Sequence, residues 1–176
     1  MLRKKNGFYG FESALHVFPL MPNATDGLQA WNSDSLWRHE YQDLTKGLLF
    51  FAEDLFQDQF CISAEGVQRF KTETGEKVIL ADTIEMWAEL ILSDYSYQTG
   101  WKTAHEWQAV NGPLPPGQRL LPKTPFFLGG SYSLDNLWIG NPIEGLRFKA
   151  DVALQTRGLP EGAPVRLRIG KKPQNR

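Results

Sequence analysis

The sequence changes periodicity along its length: short apolar runs of strand length lie on either side of a central segment with helical spacing. Residues 48–52 and 60–62 are two such runs, and the acidic loop 53–59 joins them. A hairpin is predicted for residues 67–80, with Gly75 in the left-handed conformation that its turn requires. These runs predict four strands of a sheet.

The centre of the chain is predicted to be helical. Apolar side chains recur every three or four residues in 82–94, which places them on one side of a helix with Asp82 as its N-cap. A second helix is predicted for residues 101–110, because Asn111, Gly112 and Pro113 end it. Strand-rich stretches on both sides of a helical centre predict an α+β fold.

The second half of the chain carries shorter signals. Residues 124–128 are predicted to begin a strand, after which glycines 129–130 permit a bend or a close backbone approach. Residues 136–139 are another strand candidate, and residues 143–155 fit either a helix or a strand. The alternation of apolar residues and arginines in 165–169 predicts a strand.

The length of 176 residues favours one domain with a substantial core, expected over residues 1–170 and followed by a flexible tail, 171–176. The single cysteine, Cys61, lies in an apolar run, which predicts a buried thiol. A chain without an internal disulfide suits a reducing compartment. No apolar run reaches the length of a membrane span and no secretory signal is visible, so a cytoplasmic protein without membrane contact is expected.

The net charge of −1 conceals an uneven distribution. Residues 6–146 contain eight basic and eighteen acidic side chains, whereas the two ends are strongly basic. An acidic surface attracts cationic partners. Whether the basic ends fold back and neutralise the acidic middle stays open at this point. The acidic middle also argues against a dedicated nucleic-acid binder.

No catalytic constellation is visible. His16, His39 and His105 are widely spaced, and neither a paired-histidine zinc motif nor a phosphate-binding glycine loop is present. No cofactor, metal or enzymatic activity is therefore expected. The carboxylates of loop 53–59 keep a carboxylate-dependent enzyme among the alternatives, and a deep pocket lined with paired carboxylates would favour it.

Five runs together resemble the SUKH superfamily, which includes a yeast regulator of cell-wall synthesis and many bacterial immunity proteins. They are residues 6–19, 49–62, 72–76 with 84–91, 119–137 and 159–162. The second run is similar to the family pattern Phe-Gly-Glu-Asp-x-Phe-Gly-x-Gln-Phe. The resemblance implies a curved mixed sheet with helices packed against it, and a non-enzymatic scaffold that binds partners.

The sequence departs from the family pattern in two ways. Gln57 stands where glycine is typical, so the geometry of the acidic loop is expected to differ. Family members also carry a helical segment before the run that begins at Asn6, which only five residues precede here. The expectation is that this helix is lost or that the natural start lies upstream.

The resemblance implies an immunity protein that binds and neutralises a cognate bacterial toxin, with a basic, nuclease-type effector as the expected partner and no direct contact with nucleic acid. A regulatory interaction domain that binds a host protein is the alternative. Charged loop residues would steer the partner, and aromatic residues would anchor it. The predicted contact residues are Glu53, Asp54, Asp58, Tyr132, Asn136, Trp31 and Trp37.

Overall fold

The computed structural model describes residues 5–21, 27–160 and 163–168. Its main sheet contains six strands in chain order, β1 to β6: Phe8–Gly10, Leu15–Val17, Leu49–Glu53, Gln59–Ser63, Gly66–Lys71 and Glu76–Ala81. Each strand pairs with the next in antiparallel orientation. The α+β class is confirmed. The sheet is antiparallel and not mixed as expected, because the connections from β3 to β6 are short turns, and short turns join antiparallel strands.

A second, two-stranded antiparallel sheet is formed by β7, Arg119–Pro122, and β8, Leu137–Gly140. The helices are α1, Leu28–Trp31; α2, Ile84–Ser93; α3, Tyr95–Thr99; α4, Trp101–Asn111; and α5, Pro142–Thr156. Shorter 3₁₀ segments cover Arg38–Thr45, Phe126–Leu128 and Leu134–Asn136.

The main sheet is covered on both faces. Successive residues of a strand point to opposite faces, so the neighbours Phe50 and Phe51 of β3 enter different cores. Phe51 packs with Trp87 and other α2 residues, whereas Phe50 belongs to the core that contains Leu146 of α5. The sheet therefore lies between α2 on one side and α5 on the other.

Helix α2 confirms the predicted central helix, although it begins one residue later than expected. The N-cap is Thr83, whose hydroxyl accepts a hydrogen bond from the Met86 amide, rather than Asp82. Segment 143–155, which fitted either helix or strand, is α5. Asn141 caps this helix by accepting from the amides of Ile143 and Glu144, and Pro142 occupies its first turn.

Trp31 and Trp37 lie in the core, and the prediction that they contact a partner is wrong. Their exposed fractions are 2% and 0%. The indole nitrogen of Trp31 donates to Gln59 Oε1 at 2.8 Å, and Trp37 packs against Phe50 with ring centroids 5.0 Å apart. Burying these two indoles against the sheet removes a large apolar area from water, which explains why they belong to the core.

Two predicted strands are absent where the structure describes the chain. Phe126–Leu128 is a 3₁₀ segment, and residues 165–168 run beside α5 without strand pairing; Ile169 and the expected tail lie outside the described residues. The Arg168 amide donates to Gln155 Oε1 at 2.8 Å instead of to a neighbouring strand. The expected close approach at Gly130 is confirmed, because a Cβ there would lie 1.9 Å from the Thr124 carbonyl oxygen.

Candidate binding cleft

A cleft of about 630 Å³ opens where the β3–β4 turn, the end of β5 with the turn after it, α3, segment 126–132 and α5 meet. Carboxylates, cations and aromatic rings all line it. Three of the predicted contact residues, Asp54, Asp58 and Tyr132, share this cleft. Its volume lies within the range of about 300–1,000 Å³ that is usual for ligand sites.

Asp54 lines the cleft and fixes the turn that carries it. Its exposed fraction is 5%, and its Oδ1 accepts from the amides of Phe56 and Asp58, both at 2.9 Å. The Asp54 amide in turn donates to the Asp58 carbonyl at 3.0 Å. These bonds close a tight turn that holds the two aspartates next to each other.

Gln57 adopts φ +72° in this turn, the left-handed conformation that the typical glycine of the resembled family would favour. The turn therefore contains a residue in the left-handed conformation although that residue is not glycine. A non-glycine residue in this region costs about 1–2 kcal/mol. The Gln57 side chain is fully buried and donates to the Pro142 carbonyl at 2.6 Å, which fixes the turn to the start of α5.

Burial is the main cause that raises the pKa of Asp54 to about 8, and the negative charge of Asp58 is the second. At neutral pH this group is therefore mostly a neutral acid. Asp58 is held by the turn that follows β5: its Oδ1 accepts from the Thr72 amide at 3.0 Å and the Thr72 hydroxyl at 3.2 Å. The cleft thus places a neutral carboxylic acid beside a second, hydrogen-bonded aspartate.

Glu73 supplies a third carboxyl group, which sequence reasoning missed. Its exposed fraction is 7%, and its Oε2 accepts from the Phe127 amide at 2.8 Å. Its Oε1 is buried and has no hydrogen-bond partner among the residues that the structure describes. Burial raises the pKa of Glu73, although the Lys149 charge opposes this. Glu73 lies in the run 72–76, but only the tertiary structure brings it to the aspartates.

The cations that line the cleft already bind protein acceptors. Arg69 donates to the Gln98 carbonyl at 2.6 Å, and Lys71 pairs with Glu76 at 2.9 Å. Lys149, which is buried, donates to the Phe56 carbonyl. Lys71 is therefore paired with a carboxylate, whereas Arg69 and Lys149 donate to neutral carbonyls and keep their charge in the cleft.

Stacked aromatic rings form one wall. Tyr132, with an exposed fraction of 60%, stacks on Phe126 at a centroid distance of 4.0 Å, and the Phe56 ring meets both edge-on. Asn136 holds this segment in place: it accepts from the Thr124 amide and donates to the carbonyls of Thr124 and Ser131. Of the predicted contacts, Tyr132 lines the cleft, whereas Asn136 positions the loop that carries it.

Glu53 does not face the cleft, and its prediction as a surface contact is wrong. It is 2% exposed and pairs with Arg119 at 2.8 Å; His16 Nδ1 lies 3.5 Å away. Burial opposes ionisation of Glu53, but the charge of Arg119 and the hydrogen bond with His16 outweigh it and lower its pKa. Glu53 is the last residue of β3, whereas Asp54 is the first residue of the turn that lines the cleft.

No protein-family model matches this sequence, and no curated protein shows significant similarity to it. None of the helices in the described ranges combines the length and the apolar composition needed to cross a bilayer. Across those same ranges, no three His, Cys, Asp or Glu side chains are grouped so as to hold a metal ion.

Proposed function

We propose that this protein is a non-enzymatic, cytoplasmic binding module of the SUKH type, and that its cleft receives a basic side chain of a protein partner. The observation that carries the proposal is the group of three carboxyls, Asp54, Asp58 and Glu73, that line one cavity. Burial and the charge of Asp58 raise the pKa of Asp54 in spite of the nearby charges of Arg69 and Lys149. A lysine or arginine head group of the partner would favour the ionised form of Asp54 and pair with it.

The aromatic wall suits the same ligand. The apolar stem of a lysine or arginine packs well against rings, and its charge is attracted to their faces. Tyr132 is exposed beside the carboxyl groups, so one side chain could contact both. A partner with a basic surface, such as a toxin that acts on nucleic acid, presents such side chains, which supports the role of a toxin-immunity protein.

A survival experiment tests the immunity role. The reading frame beside this gene is induced in a naive host together with wild-type protein, the Asp58→Asn variant, or Asp151→Asn as a control on the exposed face of α5. Rescue by wild type and by the control, with loss of rescue for Asp58→Asn, is the expected result. A harmless neighbour would favour the regulatory alternative, and full rescue by Asp58→Asn would remove the cleft from the interface.

A carboxylate-dependent hydrolase is a second candidate, favoured by the neutral Asp54 beside Asp58 in one cavity. Such a pair provides an acid and a base, as glycoside hydrolysis requires. Chromogenic glycosides would be tested from pH 5 to 9 with wild type and Asp58→Asn. Turnover that disappears in the variant would establish an enzyme and overturn the non-enzymatic proposal; we expect no turnover by either protein.

A further inference from the structure

The most exposed aromatic side chains of this protein lie together. Three of them, Tyr97, Phe127 and Tyr132, line the cleft. The other two, Trp138 and Phe148, line a second cavity of about 330 Å³. The exposed fractions of these five side chains run from 36% to 75%. Exposed aromatic residues concentrated in one area are typical of a surface that binds another protein.

The two cavities adjoin. Glu73 and Lys149 line both of them. The Phe127 amide donates to Glu73 Oε2 at 2.8 Å, so the loop that carries two of the exposed rings is bonded to the common boundary. Phe148 follows Arg147 and precedes Lys149 in α5, which places it beside the same boundary. One partner segment can therefore contact both cavities.

The walls of the second cavity are largely apolar. Leu121 and Pro122 of β7 form one part of the lining, and the rings of Trp138 and Phe148 form another. Gly145 lets α5 come close to β7, because a Cβ there would lie 2.7 Å from Leu121 Cδ2. The cavity thus offers aliphatic and aromatic contacts to whatever enters it.

The charged groups of the second cavity balance. Lys123 and Lys149 stand against Glu73 and Glu144, and the two lysines donate to backbone carbonyls. A charged occupant would lose its hydration here without meeting an excess of the opposite charge, which costs free energy. An apolar occupant has no such cost, and it gains from leaving water. The balance of charge therefore favours an uncharged, apolar occupant.

We propose that the second cavity takes a large aliphatic side chain, such as leucine, from the same protein partner whose basic side chain enters the cleft. This inference rests on the proposed function, and it adds an apolar anchor to the partner's basic residue. The cavity volume lies near the lower end of the range of about 300–1,000 Å³ for ligand sites, which suits a single side chain. A leucine there would bury apolar surface against Trp138 and Phe148, as the central anchor of an interface does.

Three synthetic hexapeptides test the cavity by calorimetric titration of the full chain. They alternate leucine with lysine, serine with lysine, or leucine with glutamine. Wild type should bind the leucine–lysine peptide about tenfold more tightly than the serine–lysine peptide, because one leucine side chain leaves water. Trp138→Thr and Phe148→Gln should each reduce this preference to about threefold or less and leave serine–lysine binding unchanged.

Both variants replace exposed side chains with residues that suit a strand and a helix, respectively, so the fold is expected to persist. Leu92→Gln is the matched control. It removes an apolar side chain that is 70% exposed on α2, which packs on the other face of the sheet from α5, and it should change the binding of no peptide.

The two proposals fail separately. If the leucine–lysine and serine–lysine peptides bind equally and Asp58→Asn weakens both, the apolar subsite is wrong and the cleft stands. If leucine–glutamine binds as tightly as leucine–lysine and Asp58→Asn changes neither, the subsite stands and the cleft proposal fails. A preference for leucine that persists in Trp138→Thr and Phe148→Gln would overturn the subsite, and no peptide binding by wild type would overturn both proposals.

Exposed rings also stack on sugars, so cellohexaose is titrated as the rival ligand. We expect no binding of this sugar by wild type. Binding that Trp138→Thr abolishes, without a preference for leucine among the peptides, would assign the rings to a glycan and overturn the inference.

Discussion

Replacing Asp54 with asparagine removes a titratable group from the lining of the cleft while keeping the shape of the side chain. Asparagine retains the Oδ1 oxygen, which accepts from the amides of Phe56 and Asp58 at 2.9 Å. Both proteins share every other titratable group. The difference in their free energies of unfolding therefore reports the protonation of Asp54 together with its electrostatic interaction with Asp58, and this difference should depend on pH.

The direction of this pH dependence follows from the raised pKa of Asp54. The folded pKa of about 8 lies above the value of about 3.9 for an unfolded aspartate, so the stabilising contribution of the protonated group is full below about pH 4 and is lost as pH rises through 8. Between these values the folded protein binds one more proton than the unfolded chain. The free energy of unfolding of wild type, relative to Asp54→Asn, should fall by about 1.4 kcal/mol per pH unit in this window, or about 3 kcal/mol from pH 5 to 7.

Urea unfolding at pH 5, 6 and 7, followed by tryptophan fluorescence, measures this difference, because the chain contains six tryptophans. Asp151→Asn, which changes an exposed carboxylate, should track wild type across the same range. If wild type and Asp54→Asn differ by a constant amount at all three pH values, Asp54 is ionised in the folded protein and the reasoning about a neutral acid in the cleft is refuted.

Three further outcomes are expected. A synthetic hexa-arginine peptide should bind at least about fivefold more tightly at pH 9 than at pH 6, because ionised Asp54 attracts a cation. An equal pH dependence of binding in Asp54→Asn would contradict this. Arg119→Met should lower the free energy of unfolding by about 3–5 kcal/mol, because Glu53 is left buried without its cation. Urea unfolding measures this, and a loss below about 1 kcal/mol would show that the ion pair does not stabilise the core. Asn136→Ala should speed amide hydrogen exchange within residues 124–136, since three hydrogen bonds are lost, whereas unchanged exchange would mean that ring stacking alone holds the loop.

Several elements could be predicted from local patterns. The strands around the acidic loop, the Gly75 hairpin and the two central helices all formed close to where their periodicity placed them. Each depends on residues within about a dozen positions of one another, so the pattern in sequence is also the pattern in space. Gly75 adopts φ +73° in the turn, as that hairpin required.

The candidate site depended on contacts that no local pattern contains. Glu53, Asp54 and Asp58 lie within six residues, yet Glu53 pairs with Arg119 in the core while the two aspartates line the cleft. Glu73 and Lys149 complete the cleft from a hairpin turn and from α5, and Lys149 lies in a segment whose spacing fitted either helix or strand.

The sequence by itself therefore determined the α+β class, the hairpins and the central helices, because backbone periodicity and turn chemistry act over short distances. The tertiary structure alone decided which acidic side chains are buried, which tryptophans are core, and which carboxylates meet at one cavity. Those outcomes depend on desolvation and on partners supplied by residues far away in the chain, such as Arg119 for Glu53, and a side chain's surroundings exist only once the chain has folded.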